Sequence, residues 1–381
     1  MTRTAAHVPT DRRETAAQAR AACPTSIENG KTFSRRKKKM ANNENIDWSH
    51  LPFGYIKTDY NVRCTFKDGK WGEIEVSDSE YINLHIAATS LHYGQEIFEG
   101  MKAFRGRDGK IRIFRPDENA QRIQRSARGV MMEPIPTDKF LEMVEKVVRL
   151  NERFVPPYES GSSLYIRPVE VGITPRVGVR PADEYTLIIF VTPVGPYFKD
   201  GFKPTKVAVF REYDRAAPCG TGRWKVGGNY AGGLAATERA HAAGFSAVLF
   251  LDPKEKKYID ECGPANFFAI KDNTYITPKS NSILPSVTNK SLQQIAKDMG
   301  LAVECRPMLL EELASVDEAA ECGTAAVAAP ISEVADMDNG IVYKIAKDGK
   351  PGPVTTQLYH HLLAIQKGDE PDKHGWVKML D

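Results

Sequence analysis

This chain of 381 residues lacks the features that mark several large protein classes. Its longest apolar runs, such as residues 187–191 and 247–251, fall far short of the ~20 residues that a membrane-spanning helix needs. It also lacks the apolar stretch that a secretory signal requires at the amino terminus. With 41% hydrophobic and 27% charged residues, the composition is instead typical of a globular protein that does not enter a membrane.

Cysteines are few, and their spacing suits no metal site. The six cysteines, at positions 23, 64, 219, 262, 305 and 322, form no Cys-x-x-Cys pair and have no matching His-x-x-x-His segment, so we expect no structural zinc and no other metal. A chain of this length does not need disulfides to be stable, and scattered thiols suit a reducing compartment. We therefore expect a cytoplasmic protein.

Nucleotide-binding and hydrolase motifs are also missing. Gly220 and Gly222 are not followed by a third glycine at the dinucleotide-binding spacing, and the chain has neither a phosphate-binding Walker loop nor a Gly-x-Ser-x-Gly segment. His360 and His361 are adjacent, so on a helix they diverge by about 100° and cannot form a metal-binding pair. These absences argue against a Rossmann dinucleotide site, a Walker-type phosphate site and a hydrolase nucleophile elbow.

Charge and composition divide the chain. Residues 1–39 contain ten Lys or Arg against three Asp or Glu, a balance of +7, which leaves −4 for the rest of a chain whose total is +3. We expect residues 1–39 to be a disordered basic extension that precedes a natural start at Met40, with an organelle transit peptide or a nucleic-acid-binding tail as the alternatives. The acidic body gives no support for nucleic-acid binding. A Pro/Gly-rich stretch then predicts a small domain over 40–195, an interdomain loop at 196–204 and a large domain over 205–381.

Hydrophobic periodicity predicts a mixed α/β chain. The predicted strands are a hairpin over 55–76 that turns at Asp68-Gly69, then 111–114, 164–171, 185–194, 206–210, 245–252 and 267–270. The predicted helices are 117–128 capped by Asp117, 137–154, one from Tyr230 to Gly244, and 291–299 ended by Gly300.

Candidate chemistry centres on Lys225. This lysine follows an aromatic residue and shortly precedes a Gly-Gly step at a loop-to-helix junction, where backbone can approach a ligand closely. A nucleophilic lysine must be freed of its proton by burial or by a neighbouring cation, or be held in a Schiff base. The alternative is an ordinary solvent-facing lysine. Segments 285–288 and 322–326 are possible anion cradles, because each combines a turn or a helix start with free backbone amides.

Taken in order, these segments resemble the branched-chain amino acid aminotransferases, pyridoxal-phosphate enzymes of fold type IV. The resemblance runs from about Tyr55 to Trp376. It rests on Leu91-His92-Tyr93-Gly94, Phe98-Glu99-Gly100, Asn119-Ala120-Gln121-Arg122, Tyr165-Ile166-Arg167-Pro168, residues 225–230, Glu261 with Asn266, Leu284-Pro285 with Thr288, and Gly323-Thr324-Ala325. The family fold is α/β (α+β), with a small α/β domain and a larger pseudo-barrel domain. The family forms a homodimer whose sites share residues.

The resemblance implies a role for each cofactor-site residue. Lys225 resembles the lysine that holds pyridoxal 5′-phosphate as a Schiff base and then acts as general base at Cα. Glu261 resembles the carboxylate that keeps the pyridine nitrogen protonated, and Tyr230 resembles the phenol that contacts the 3′-oxygen. The residues that resemble the phosphate clamp are Arg122, Val287 and Thr288 through their amides, and Thr324. Ser286 stands where the family commonly has glycine, although serine is a good helix N-cap.

The resemblance also implies substrate contacts. The α-carboxylate would meet the amides of Thr324 and Ala325 and the hydroxyl of Tyr165. The apolar side-chain pocket would consist of Tyr93, Phe98, Tyr197 and Tyr230 of the same chain. Val179 of the partner subunit would complete it. Arg167 would receive the second carboxylate of glutamate. The alternative is that Arg167 forms only a salt bridge with Glu170 or Glu184.

The implied activity is transamination of leucine, isoleucine and valine with 2-oxoglutarate, as in branched-chain amino acid biosynthesis. A D-amino-acid aminotransferase or an aminodeoxychorismate lyase would keep Lys225, Glu261 and Arg122, but residues 98–102 and 165–168 favour the branched-chain activity. A nucleic-acid-binding protein without enzymatic activity would rest on residues 1–39 alone, and the acidic body opposes it. We expect no nucleic-acid partner and no membrane partner.

Overall fold

The computed structural model describes residues 46–198, 201–346 and 348–380, all within one compact unit, Asn43–Asp381. The extension predicted over 1–39 lies outside the described residues. The strands are β1 Asn61–Lys67, β2 Lys70–Trp71, β3 Glu75–Ser77, β4 Glu96–Phe98, β5 Met101–Arg105, β6 Ile111–Phe114, β7 Ser163–Gly172, β8 Tyr185–Val194, β9 Thr205–Val209, β10 Ala247–Leu251, β11 Ile259–Cys262, β12 Ala265–Lys271, β13 Thr274–Pro278, β14 Ala302–Arg306, β15 Glu318–Gly323, β16 Val327–Asp336, β17 Ile341–Lys344 and β18 Val377–Leu380. The helices are α1 Thr89–Tyr93, α2 Pro116–Gly129, α3 Thr137–Leu150, α4 Gly228–Ala231, α5 Leu234–Ala242, α6 Val287–Asp298 and α7 Pro353–Lys367, with 3₁₀ turns at Glu152–Phe154, Tyr158–Ser160 and Leu310–Ser315. In these described ranges, no helix has the length and apolar character to cross a membrane.

The first sheet has the strand order β18-β6-β5-β7-β8-β1-β2, with β3 beside β1 and β4 beside β7. The predicted hairpin is confirmed between β1 and β2, where Asp68 and Gly69 both have positive φ, at 52° and 75°. Helix α3 places Val144 and Val147 against this sheet, as its apolar stripe predicts. The carboxyl-terminal strand β18 also joins this sheet. The proposed domain boundaries remain predictions.

The second sheet closes on itself, because β11 pairs with both β10 and β12. Six strands form the closed part: β9, β10, β11, β12, β15 and β16. The interior is filled by side chains such as Val207, Leu249 and Phe267, whereas α6 and α7 cover one outer face. This architecture confirms the expected fold type, a small α/β part and a larger pseudo-barrel part.

Helix starts differ from the sequence prediction in two places. Pro116 begins α2 after Arg115, whose φ is 47°, so Asp117 lies in the first turn and does not cap the helix. A proline at N1 already has the helical φ, which moves the start forward. Helix α6 begins at Val287, not Ser291, because the hydroxyl of Ser286 accepts a hydrogen bond from the Asn289 amide at 3.2 Å.

Two predicted helices are also shorter than expected. The helix predicted over 137–154 ends at Leu150 and is followed by a 3₁₀ turn. The helix predicted from Tyr230 to Gly244 is interrupted at Gly232-Gly233, between α4 and α5. Adjacent glycines carry the least favourable helix propensity of ordinary residues, which explains the interruption.

Candidate active site

A cavity of about 620 Å³ is lined by residues of both sheets. It brings together eight residues that the sequence singled out: Phe98, Tyr165, Arg167, Tyr197, Lys225, Tyr230, Thr324 and Ala325. This volume falls within the range of small-molecule sites. Segments distant in sequence therefore converge on one cavity. No three His, Cys, Asp or Glu side chains of the described ranges are grouped as a metal ion would require.

Lys225 is held at this cavity by its own backbone. Its amide donates to the Ser126 hydroxyl at 3.0 Å, and its carbonyl accepts from the Phe98 amide at 3.0 Å. The amine donates to the Tyr230 hydroxyl at 2.7 Å and lies 4.6 Å from the centre of the Phe98 ring. Burial, followed by the charge of Arg122, lowers the pKa of Lys225 to about 8. About a tenth of this amine is therefore unprotonated at pH 7, far more than for a solvent-facing lysine.

Arg122 is paired with a residue whose role the sequence did not reveal. Its guanidinium donates to both carboxylate oxygens of Glu99, at 2.7 and 2.8 Å, and to the Pro285 carbonyl at 3.1 Å. Glu99 is fully buried and also accepts from Asn119 at 2.7 Å. Burial opposes ionisation of Glu99, but the charge and hydrogen bonds of Arg122 keep its pKa below the ordinary value. The pair fixes the guanidinium beside the start of α6.

Glu261 is buried at the end of β11 and is held by three donors. The Leu284 amide donates to one carboxylate oxygen, Asn266 donates to the other at 3.1 Å, and Arg215 forms an ion pair at 3.1 Å. Burial raises the pKa of Glu261, although Arg215 opposes that shift. Burial, followed by the charge of Glu261, also raises the pKa of Tyr230 to about 12, so this phenol stays protonated. Arg215 is the second partner that sequence reasoning missed.

The start of α6 provides unpaired backbone donors. The Ser286 hydroxyl accepts a hydrogen bond from the Asn289 amide. Within the described structure, the amides of Val287 and Thr288 donate to no acceptor. Both residues are 6% exposed. Buried amides without partners at the start of a 12-residue helix are suited to an anion.

The turn at 323–326 is anchored to the first sheet. The Thr324 hydroxyl donates to the Gly100 carbonyl at 3.3 Å, and Lys102 donates to the Ala325 carbonyl at 2.9 Å. Burial lowers the pKa of Lys102 to about 8. A Cβ at Gly100 would collide with the Tyr165 hydroxyl, so only glycine leaves room for that phenol. The sequence reasoning assigned no role to Lys102.

Arg167 forms no ion pair with a carboxylate in the described structure. It donates to the Tyr165 hydroxyl at 3.1 Å, and its guanidinium carbon lies 5.1 Å from the centre of the Phe98 ring. Glu184 pairs with Lys67 at 3.0 Å, and both oxygens of the buried Glu170 lack partners. The salt bridge considered as an alternative for Arg167 is therefore absent from these residues.

Tyr93 and Val179 do not line the main cavity. Both line another cavity of about 470 Å³, and the Tyr93 hydroxyl donates to the Val177 carbonyl. Val179 is 79% exposed. The structure of one chain thus places these two predicted substrate residues together, but apart from Lys225.

Comparison with known proteins adds to this geometry. The family model for amino-transferase class IV matches residues 96–334. The branched-chain-amino-acid aminotransferase of Haemophilus influenzae is 43% identical over 345 residues, which cover 89% of this chain and 100% of that protein. The branched-chain-amino-acid aminotransferase of Helicobacter pylori is 43% identical over 341 residues, which cover 89% and 99%. The structure of the branched-chain amino acid aminotransferase of Escherichia coli has a TM-score of 0.71 at 28% identity, covering 84% of this chain and 99% of that one.

Proposed function

This chain belongs to the branched-chain amino acid aminotransferases of amino-transferase class IV, and we propose that it transfers the amino group of leucine, isoleucine and valine to 2-oxoglutarate. The products are branched-chain 2-oxo acids and L-glutamate. The observation that carries the proposal is the Lys225 amine, which is buried at a cavity in contact with Tyr230 and has a pKa lowered to about 8. Rival activities of the same fold are not favoured by these relatives.

The residues present fit pyridoxal 5′-phosphate, the cofactor of this class. The unpaired amides of Val287 and Thr288 suit its phosphate, with Arg122 and Thr324 as further donors. Tyr230 is a protonated phenol beside the lysine amine and suits the 3′-oxygen. Glu261 suits the pyridine nitrogen, and its three donors hold the carboxylate in one orientation. When bound, the cofactor supplies an electron sink for the removal of the Cα proton.

The mechanism assigns proton transfer to Lys225. In its neutral form, the Lys225 amine accepts the proton from Cα of the substrate and donates it again in the following step. A pKa near 8 suits both roles, because it lies close to neutral pH. Tyr230 orients this amine through the 2.7 Å hydrogen bond. Phe98 and Tyr230 cover the amine with aromatic surface, which keeps water away from the reacting proton.

Substrate binding divides between two groups of residues. The amides of Thr324 and Ala325 and the Tyr165 hydroxyl receive the α-carboxylate, and the anchors from Gly100 and Lys102 hold that turn in place. Phe98, Tyr197 and Tyr230 surround the branched side chain. Arg167 receives the second carboxylate of glutamate, since its cation faces the cavity without an acidic partner in the described structure.

Assembly and location are also proposals. The chain acts as a homodimer in which Tyr93 and Val179 complete the partner's side-chain pocket. Two observations support this arrangement, namely their separation from Lys225 in one chain and the 79% exposure of Val179. The protein works in the cytoplasm. It binds no nucleic acid, as the net charge of −4 over residues 40–381 suggests.

An absorbance spectrum of the purified protein tests the function. We expect a band near the edge of the visible range that disappears on adding leucine and returns with 2-oxoglutarate. Lys225→Ala should abolish this cycle, whereas Lys257→Ala, which removes a surface lysine, should leave it unchanged. A spectrum that does not respond to leucine would contradict the proposal.

A further inference from the structure

Glu321 occupies a position where the strand pattern calls for an apolar residue. On β15, Ala320 and Cys322 face the core beneath α6 and α7, so Ala319 and Glu321 face the interior of the closed sheet. In the pairing of β15 with β12, Glu321 lies opposite Phe267, whose side chain belongs to that interior core. A carboxyl group at a core position breaks the local pattern, and such exceptions are typical of functional or strained positions.

The Glu321 carboxyl group has no partner in the described structure. The side chain is 7% exposed, accepts no hydrogen bond and forms no ion pair among these residues, yet it lines the cavity that contains Lys225. Burial alone raises its pKa to about 7, because no cation lies close enough to lower it. The titratable groups that interact with it are Tyr197, Cys262 and Cys322, none of which is a cation.

Besides Lys225, the cavity is therefore lined by one basic and one acidic side chain that come from different sheets. Arg167 projects from β7 of the first sheet, and Glu321 projects from β15 of the second. Three further polar residues line the same cavity, namely Thr237, His241 and Ser246. A ligand that places an ammonium group beside Glu321 would supply the partner that this buried carboxylate lacks.

We propose that Glu321 binds the terminal ammonium group of linear cationic amino acids, so that L-lysine and L-ornithine are a second class of amino donor. The proposal rests on the proposed function. The cationic substrate would place its α-carboxylate at the turn that receives the α-carboxylate of leucine, and its α-amino group would react at Lys225 as that of leucine does. Leucine needs no contact with Glu321, because the carboxyl group is protonated and neutral below a pH of about 7. Glu321 thus adds a substrate class without excluding the branched one.

A pair of inhibitors isolates the contact. Hexanoate and 6-aminohexanoate share a carboxylate and a chain, and only the second carries the terminal ammonium. In the cofactor-loaded protein, we expect Glu321→Gln to weaken inhibition by 6-aminohexanoate about tenfold or more and to leave hexanoate nearly unchanged. The ratio of kcat/KM for lysine to that for norleucine should fall by a similar factor. Glu311→Gln, which alters an exposed glutamate outside the cavity, is the matched control and should change neither ratio.

The wild-type protein provides a test that needs no variant. As the pH rises through about 7, Glu321 ionises, so 6-aminohexanoate should gain affinity relative to hexanoate. Equal inhibition by the two compounds at every pH, or a wild-type protein that uses leucine but not lysine, overturns the proposal and leaves the proposed function intact. Failure with leucine as well would instead contradict the proposed function.

Discussion

Arg167→Met tests how one cavity accepts both leucine and glutamate. The arginine reaches the cavity from β7 and donates to the Tyr165 hydroxyl at 3.1 Å, and its buried Nε has no partner among the residues that the structure describes. Methionine keeps much of the side-chain length and the contact with the Phe98 ring, but it removes the cation. The substitution therefore changes charge more than shape.

The size of the effect follows from the missing ion pair. The second carboxylate of glutamate enters an apolar pocket, where a charge without a partner is costly. A hydrogen bond to a charged group contributes about 2 kcal/mol, which corresponds to a factor of about 30. No carboxylate of the described structure competes for Arg167, so this energy is available to the substrate. Leucine lacks the second carboxylate and should lose little.

Single-turnover spectroscopy measures the two half-reactions separately. We expect the glutamate half-reaction of Arg167→Met to slow by about 30-fold, with the leucine half-reaction within about threefold of wild type. Arg107→Met removes a surface arginine whose side chain is 76% exposed, and it should affect neither half-reaction. Equal losses in both half-reactions, or no loss in either, would show that Arg167 is structural.

Three further substitutions test buried carboxylates. Glu261→Gln should preserve folding but slow Cα proton transfer, because an amide cannot keep the pyridine nitrogen protonated; an unchanged single-turnover rate with leucine would count against its role. Glu99→Gln should lower the free energy of unfolding by about 3–5 kcal/mol in urea titrations, since it leaves the buried Arg122 guanidinium uncompensated; a loss below about 1 kcal/mol would refute this estimate. Glu170→Leu should raise the free energy of unfolding by about 1–3 kcal/mol at pH 8, because it removes a buried carboxyl group that has no partner in the described part of the chain. Burial raises the folded-state pKa of Glu170 well above 4.5, so the wild type should lose stability as pH rises from about 4.5 toward that folded value, and a variant with the same pH slope would contradict this reasoning.

Much of the secondary structure could be predicted from the local sequence. The bounds predicted for the strand at 185–194 are confirmed in β8, and the apolar stripe of α3 is buried as its spacing predicts. The helix starts at Pro116 and Val287 were missed, since each depends on a short-range detail of the first turn. Hydrophobic period is a property of the chain itself, whereas the first turn also depends on single backbone and capping contacts.

The candidate site shows a similar division. The order of segments was enough to single out Lys225, Tyr230, Glu261 and the 323–325 turn, because each carries its chemistry in a short run of residues. The ion-pair partners of these site residues became visible only in the tertiary structure. Glu99 pairs with Arg122 of α2, and Arg215 pairs with Glu261 from a distant segment of the chain. Neither pair has a spacing that sequence periodicity could reveal.

The family, the alternation of helices and strands and Lys225 as the candidate reactive lysine could thus be inferred from the order of residues alone. The folded structure was needed to learn what that lysine touches, that Arg167 lacks an acidic partner among the described residues, and that Glu321 faces a cavity. The physical reason is that burial and charge at a site arise from elements far apart in the chain. Desolvation and ion pairing set the pKa of each group, and both depend on where the folded chain brings those elements together.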